Sequence, residues 1–261
     1  MPSEPKESPR ARKAVQEDED EVRERFRQRL RSYLPASSST PKEDKVGAHR
    51  SSKRTAPTKQ KGLGKNYAPP ETYAHLPQSV PDHLGPKLRI LFVGINPGVA
   101  SAKAKCHYAN PTNLFWPYLR LSGLVDETTT FKDGHILPEK YGLGLTNIVS
   151  RPSKSAAELS KMDYQEGAKV LQGKIRECQP RIVCFVGKGI YEHYTSRPCA
   201  SLGLQMPEDA TMDDDDSSRP KPRVFVMPST SGLAAGYSRE VKKGYFHALR
   251  DLLDEIEGSK E

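Results

Sequence analysis

Apolar positions are sparse up to about residue 86 of the 261 and then fall into a regular alternation. Leu88, Ile90, Leu91, Phe92 and Val93 make a short, nearly unbroken apolar run, the pattern of a strand covered on both faces. Arg181 to Val186 (RIVCFV) repeats it and predicts a central strand. Leu143 to Val149 and Val224 to Met227 predict two more. Helical spacing fills the intervals: Asn113 to Ser122, closed near Gly123; Ala156 to Glu177, with Ala168, Leu171 and Ile175 on the buried face; Gly187-Lys188-Gly189 through Tyr194; and an amphipathic Arg239 to Ile256. Strand and helix alternate. The expected fold is α/β, a three-layer αβα sandwich around a short, mostly parallel sheet of about four to five strands. Asp126 to Pro138 reads as a polar loop, and Thr195 to Pro222, with its acid run Asp213 to Asp216, as a long surface insert.

The first 86 residues are rich in Ser, Pro, Lys and Arg and read as mostly disordered. Within them Val22, Phe26, Leu30 and Tyr33 recur at helical spacing, with acids before and arginines after. A solvated charge run is the preferred reading of this stretch and a partner-docking helix the second. Residues 42–65 hold eight Lys/Arg against two acids, a composition suited to phosphate contacts. The prolines between Tyr67 and Pro86 predict an extended lead-in.

A net charge of +8 makes an anionic partner plausible. There is no apolar run of membrane-spanning length and no secretory signal at MPSEPKESPRARK, so an intracellular, reducing compartment and no membrane partner are expected. HRSSKR (His49 to Arg54) adds a weak nuclear import pattern. Cys106, Cys178, Cys184 and Cys199 lack any CxxC spacing, so no metal or iron–sulfur cofactor is expected, and Cys184 reads as core.

The chemistry concentrates after the first strand. Gly94-Ile95-Asn96-Pro97-Gly98 breaks it sharply and holds one amide side chain at the strand's carboxyl end, where α/β proteins place ligands. Tyr108 follows twelve residues later, in the loop before the next helix, which Asn110 or Thr112 could cap. An amide and a flat aromatic suit a flat heteroaromatic ligand. An ordinary Gly-rich turn beside a core Tyr fits the spacing equally well.

GINPG followed by HYANPTNLFW closely resembles the mismatch-specific uracil/thymine DNA glycosylases, the branch of the uracil-DNA glycosylase superfamily that acts on G·U and G·T pairs. The resemblance runs from about Leu88 to Ile256, and two later motifs agree in order: GLTNIVSRP (Gly144 to Pro152) and MPSTSGLAA (Met227 to Ala235). It implies a basic N-terminal tail over 1–86, a catalytic domain over 87–257 with a flexible insert at about 195–222, and a short tail at 258–261. It also implies a hydrolase that flips the target base out of the duplex. In that scheme Asn96 would hold the attacking water and Tyr108 would stack on the base. Asn147 would read the base's edge, and Ile95, Gly98 and Ser101 would complete its pocket. Lys188, Ser229, Ser231, Gly232 and Ala234 would meet DNA, with Leu233 as the wedge that fills the vacated stack.

An amide is a poor general base, so slow chemistry and a preference for good leaving groups are expected. No lysine stands where a Schiff-base nucleophile would, so strand cleavage is not. The expected partner is double-stranded DNA carrying mismatched or damaged bases. A monomer, a nuclear location and repair-protein contacts through the tail complete the expectation. A catalytically silent DNA-binding module and a nucleotide hydrolase are the competing readings. The chain carries neither a GKS/T loop nor GxGxxG. His107, His193 and His247 read as packing or surface histidines.

Overall fold

The apolar runs form one five-stranded sheet in the computed structural model, which describes residues 21, 24–34, 66–205 and 221–258. The strands are β1 (Ile90–Gly94), β2 (Leu143–Asn147), β3 (Ile182–Val186), β4 (Gly203–Gln205) and β5 (Arg223–Met227), in the order β2-β1-β3-β5-β4. The first three and β5 run parallel, and only β4 is antiparallel. The α/β expectation holds, with RIVCFV at the centre of the sheet.

The reason lies in how each strand distributes its side chains. Ile90 and Phe92 point to one face, with Leu143, Leu145, Ile182, Cys184, Phe225 and Met227. Leu91 and Val93 point to the other, with Val183, Phe185, Val224 and Val226. Both sets are buried, so the strands read as continuous apolar runs rather than alternating ones. The first face is covered by α3 (Phe115–Leu121) and α7 (Arg239–Gly258). The second is covered by α5 (Lys161–Cys178) and α6 (Lys188–Thr195). Ser160 and Asp163 form a capping box at the start of α5 and stop that helix from extending back to Ala156, where only a 3-10 turn, Ala156–Glu158, forms.

Several elements depart from the sequence expectations. The segment around Phe26, preferred as a solvated charge run, is helical over 24–33 (α1) and docks on the first face. Phe26 meets Phe225 edge-on at 5.6 Å between ring centroids. The Tyr33 hydroxyl donates to Asp251 at 2.7 Å, and Arg29 pairs with Glu255 at 3.2 Å. Two apolar side chains one turn apart suffice, because α7 and the β4–β5 edge present a ready surface for them.

The proline-rich stretch is also part of the body rather than a free lead-in. Leu76 and Val80 are buried, and His83 exchanges two backbone bonds with Leu145, at 2.9 and 2.8 Å. The strap thereby covers the exposed edge of β2. Ordered structure therefore begins well before residue 87. The basic 42–65 cluster and the acid run 213–216 lie outside the described residues.

Three short elements escaped the periodicity: α2 (Val99–Ala104), α4 (Leu137–Tyr141), and β4 within the expected surface insert. At three to six residues each they are too short to show a period.

Candidate active site at the carboxyl ends of the strands

The parallel strands deliver their carboxyl ends to one edge, so the turns after β1, β2, β3 and β5 emerge together. The order β2-β1-β3 puts consecutive connections on opposite sides of β1, a topological switch point. The turn after β1 is laced to the segment after β2. Gly94, Ile95 and Pro97 carbonyls accept from Ile148, Val149 and Ser153 amides at 2.9, 2.8 and 3.1 Å. The Asn96 side chain joins this lacing. Its Nδ2 donates to the Arg151 carbonyl at 3.0 Å and to Ser153 Oγ at 2.9 Å. A carbonyl can only accept, so the amide's orientation is fixed: nitrogen inward, Oδ1 away from the Arg151 carbonyl.

Arg151 itself is buried and forms a two-pronged ion pair with Asp163, 2.8 Å on each arm. Burial alone would raise the Asp163 carboxyl, but the Arg151 guanidinium and the Ser160 donors hold it below the usual range. This pair ties the loop that grips Asn96 to the first turn of α5.

Tyr108 sits beside Gly94, as does Asn147, Gly94's register partner on β2. A Cβ at Gly94 would collide with Asn147 Oδ1 and lie 3.0 Å from the Tyr108 hydroxyl, so glycine here is a requirement of close approach. The Tyr108 ring stacks on Phe115 at 3.9 Å between centroids and 12° between planes. The residue adopts a left-handed backbone, φ 54, uncommon outside glycine. Its hydroxyl is buried without a partner among the described residues, and burial pushes its pKa well up.

Ser101 is buried on α2, and its Oγ accepts from the Ala109 amide at 3.1 Å, which ties down the residue after Tyr108. His107, buried on the other side, donates through Nε2 to the Pro81 carbonyl at 3.0 Å, and its own carbonyl accepts from Trp116 Nε1. Ile95 is half-buried on the turn. Gly98 is exposed, with open space where its Cβ would stand. The structure thus gathers Asn96, Tyr108, Asn147, Ser101, Ile95 and Gly98 at one edge of the sheet.

Capping of α3 differs from expectation. The Asn113 side chain accepts from the Phe115 amide at 3.0 Å, while Asn110 closes a local turn on Thr112. Asn110 lies three residues before Asn113, too early to reach the helix.

The segment after β5 crosses the same edge. Ser229 Oγ accepts from the Ser231 amide and Ser231 Oγ from the Leu233 amide, at 3.4 and 3.3 Å. Leu233 is 84% exposed, the most exposed large apolar side chain among the described residues. Gly232 packs on Thr112: a Cβ there would stand 2.5 Å from its Oγ1. Lys188 opens α6 next to this segment and pairs loosely with Glu192 at 3.7 Å. Gly187, just before it, comes close to Ser229.

His193 stacks on Tyr164 and His247 on Tyr33, as packing histidines do. No group of His, Cys, Asp or Glu among the described residues is arranged to hold a metal. Sequence reasoning missed Arg151, Ser153 and Lys242. Arg151 and Ser153 act on Asn96 partly through backbone, which leaves no side-chain signature, although the Ser160–Asp163 box was legible as S-x-x-D.

Residues 81–253 match the family model of the uracil DNA glycosylase superfamily. A G/U mismatch-specific uracil DNA glycosylase of Schizosaccharomyces pombe is 34% identical over 177 residues, covering 67% of this chain and 53% of the relative. The chain therefore spans about half the length of that curated relative. A solution NMR structure of a candidate uracil DNA glycosylase from Methanosarcina acetivorans aligns at 18% identity and a TM-score of 0.47, over 68% of this chain and 98% of that one.

Proposed function

The chain belongs to the uracil DNA glycosylase superfamily, and from that premise we propose that it hydrolyses the N-glycosidic bond of uracil in G·U mismatches of double-stranded DNA, and more weakly that of thymine or other damaged bases. The observation that carries this reading is the fixed orientation of Asn96. With Nδ2 held by the Arg151 carbonyl and Ser153, Oδ1 is the atom left to accept a hydrogen bond from water. The target nucleotide leaves the stack, because its glycosidic bond is out of reach in the duplex. Phe115 backs one face of Tyr108, so the base stacks on the other. Asn147 reads its hydrogen-bonding edge. Gly98, which the protein itself does not need to be glycine, leaves room for the nucleotide at the turn, beside Ile95.

The water held by Asn96 adds its oxygen to C1′ as the C1′–N1 bond breaks. The bonding pair departs with uracil as its N1 anion, charge spreads onto O2, and the water's proton passes to solvent. Asn96 positions the water and does not take its proton, so the rate depends on a stable leaving anion. Uracil is accordingly removed faster than thymine, whose methyl group also approaches the Ser101 side of the pocket. Lys188, Ser229 and Ser231, with Gly232 and Ala234, contact the DNA backbone, and Leu233 fills the gap in the stack. The basic 42–65 segment adds salt-sensitive affinity. The enzyme works as a monomer in the nucleus, begins base excision repair and meets repair proteins through its tail.

The test is incubation with duplexes carrying G·U, G·T or G·C and a count of alkali-labile abasic sites. Release from G·U above G·T supports the reading. DNA binding without any abasic product would establish a silent module instead.

A further inference from the structure

Lys242 lies in the first turn of α7 and is 5% exposed. Its ammonium donates to the Ala234 carbonyl at 2.6 Å. Three features make this an expensive place for a lysine. Its charge is buried, and burial pushes its pKa below the usual lysine range. It stands near the positive end of a helix dipole, where an acid would be favoured. Among the described residues no carboxylate pairs with it. A residue that breaks three local rules at once is retained for what it holds, and it holds the far end of the exposed loop after β5.

That loop is braced at two other points. The Thr230 carbonyl accepts from the Leu114 amide at 3.0 Å, and Gly232 rests against Thr112. Ser238 then starts α7, its Oγ accepting from the Val241 amide at 3.2 Å. Leu233 stands between the braces, exposed. Thr230 and Gly232 fix the loop on its N-terminal side, and the bond from Lys242 to Ala234 fixes the residue just after Leu233. Within the loop, Ser231 holds the Leu233 amide through its Oγ and the Ala234 amide through its carbonyl, whereas the bond from Lys242 ties Ala234 to α7 itself.

We propose that Lys242 is a positioning residue that sets the tip of the 229–234 loop, so that Leu233 enters the duplex already aimed. This rests on the glycosylase reading above. The ammonium acts through Ala234 and touches neither the base nor the water. Its loss therefore weakens base extrusion more than the cleavage that follows.

The test compares single-turnover uracil release from a G·U duplex and from single-stranded DNA, for wild type and Lys242→Met. Lys242→Met keeps the aliphatic length and removes the donor. The duplex rate should fall about fivefold or more and the single-strand rate by less than about twofold. A 2-aminopurine beside the uracil should brighten less on binding the variant, because the neighbouring base spends less time extruded. Lys242→Gln, too short to reach Ala234, carries the same expectation and keeps the test open if Lys242→Met unfolds. A folded variant with a wild-type duplex-to-single-strand ratio overturns the proposal, and so does an equal loss on both substrates. If the wild-type enzyme releases uracil from neither substrate, the glycosylase reading fails and this inference fails with it.

Discussion

Neutral burial of His107 predicts a specific loss of stability in mild acid. The ring is 3% exposed, and burial pushes its pKa from the ordinary 6.5 down to about 4. The hydrogen bond to the Pro81 carbonyl opposes the shift without cancelling it, and nearby His83 adds to it. Because that carbonyl can only accept, native His107 carries its proton on Nε2 and leaves Nδ1 bare. The unfolded chain protonates His107 near its ordinary value, and the folded chain does so only near 4. Between the two, unfolding takes up a proton, so stability is fully present above the unfolded pKa and is lost as pH falls toward the folded one.

Worked at pH 4.5 against pH 7.5, the difference is about 2.5 kcal/mol from this one side chain. The assay is urea unfolding of wild type and His107→Gln at both pH values. Glutamine keeps a donor for Pro81 and cannot charge. Carboxylates titrate alike in the two proteins, so the change between pH 7.5 and 4.5 should be smaller for the variant by about 2 to 3 kcal/mol. Equal losses in the two proteins would refute the reasoning, whatever the variant's stability at neutral pH.

Four further outcomes follow from contacts already described. Asn96→Ala should lower single-turnover base release by about 10²-fold or more while duplex affinity barely changes, and a fall in affinity of the same size would contradict a water-positioning role. Ser101→Ala should raise thymine relative to uracil release, and because it strands the buried Ala109 amide it should also cost about 1 to 3 kcal/mol in urea unfolding; an unchanged G·T to G·U ratio would remove Ser101 from substrate choice. Phe26→Ala should destabilise by up to about 3 to 5 kcal/mol, limited by the free energy of docking α1, and an unchanged unfolding midpoint would mean that α1 contributes nothing in solution. Gly232→Ala should push the loop off Thr112 and slow release from duplex more than from single-stranded DNA, which equal rates for variant and wild type would disprove.

The sheet was legible because each strand is short, covered on both faces and bounded by Gly, Pro or Asn, so its apolar run stands out from a polar background. The gathering of Asn96 and Asn147 followed from the same feature. Parallel strands carry whatever stands at their carboxyl ends to one edge, and both asparagines sit there. Tyr108 was placed by its loop, but the reason it stays there was hidden. Its left-handed backbone is held by Ser101 on one side and the His107 carbonyl on the other, through contacts with no fixed spacing.

What stayed hidden shares one cause: the partner is distant in sequence or is backbone. Val22, Phe26, Leu30 and Tyr33 show helical spacing, but among so many Glu and Arg the stretch reads first as a solvated charge run, and only the surface offered by Phe225 and α7, some two hundred residues away, turns Phe26 into core. Arg151 reads as a solvated cation after a strand, yet it is buried by Asp163, and its carbonyl, common to every residue type, orients Asn96. Lys242 reads as one of two lysines on the polar face of an amphipathic helix, and its acceptor is the Ala234 carbonyl. In each case the side chain's chemistry matters less than the place its backbone or tip reaches. The residues that do the chemistry in the proposed function were therefore readable as a motif, while those that aim them became visible only once the chain was folded.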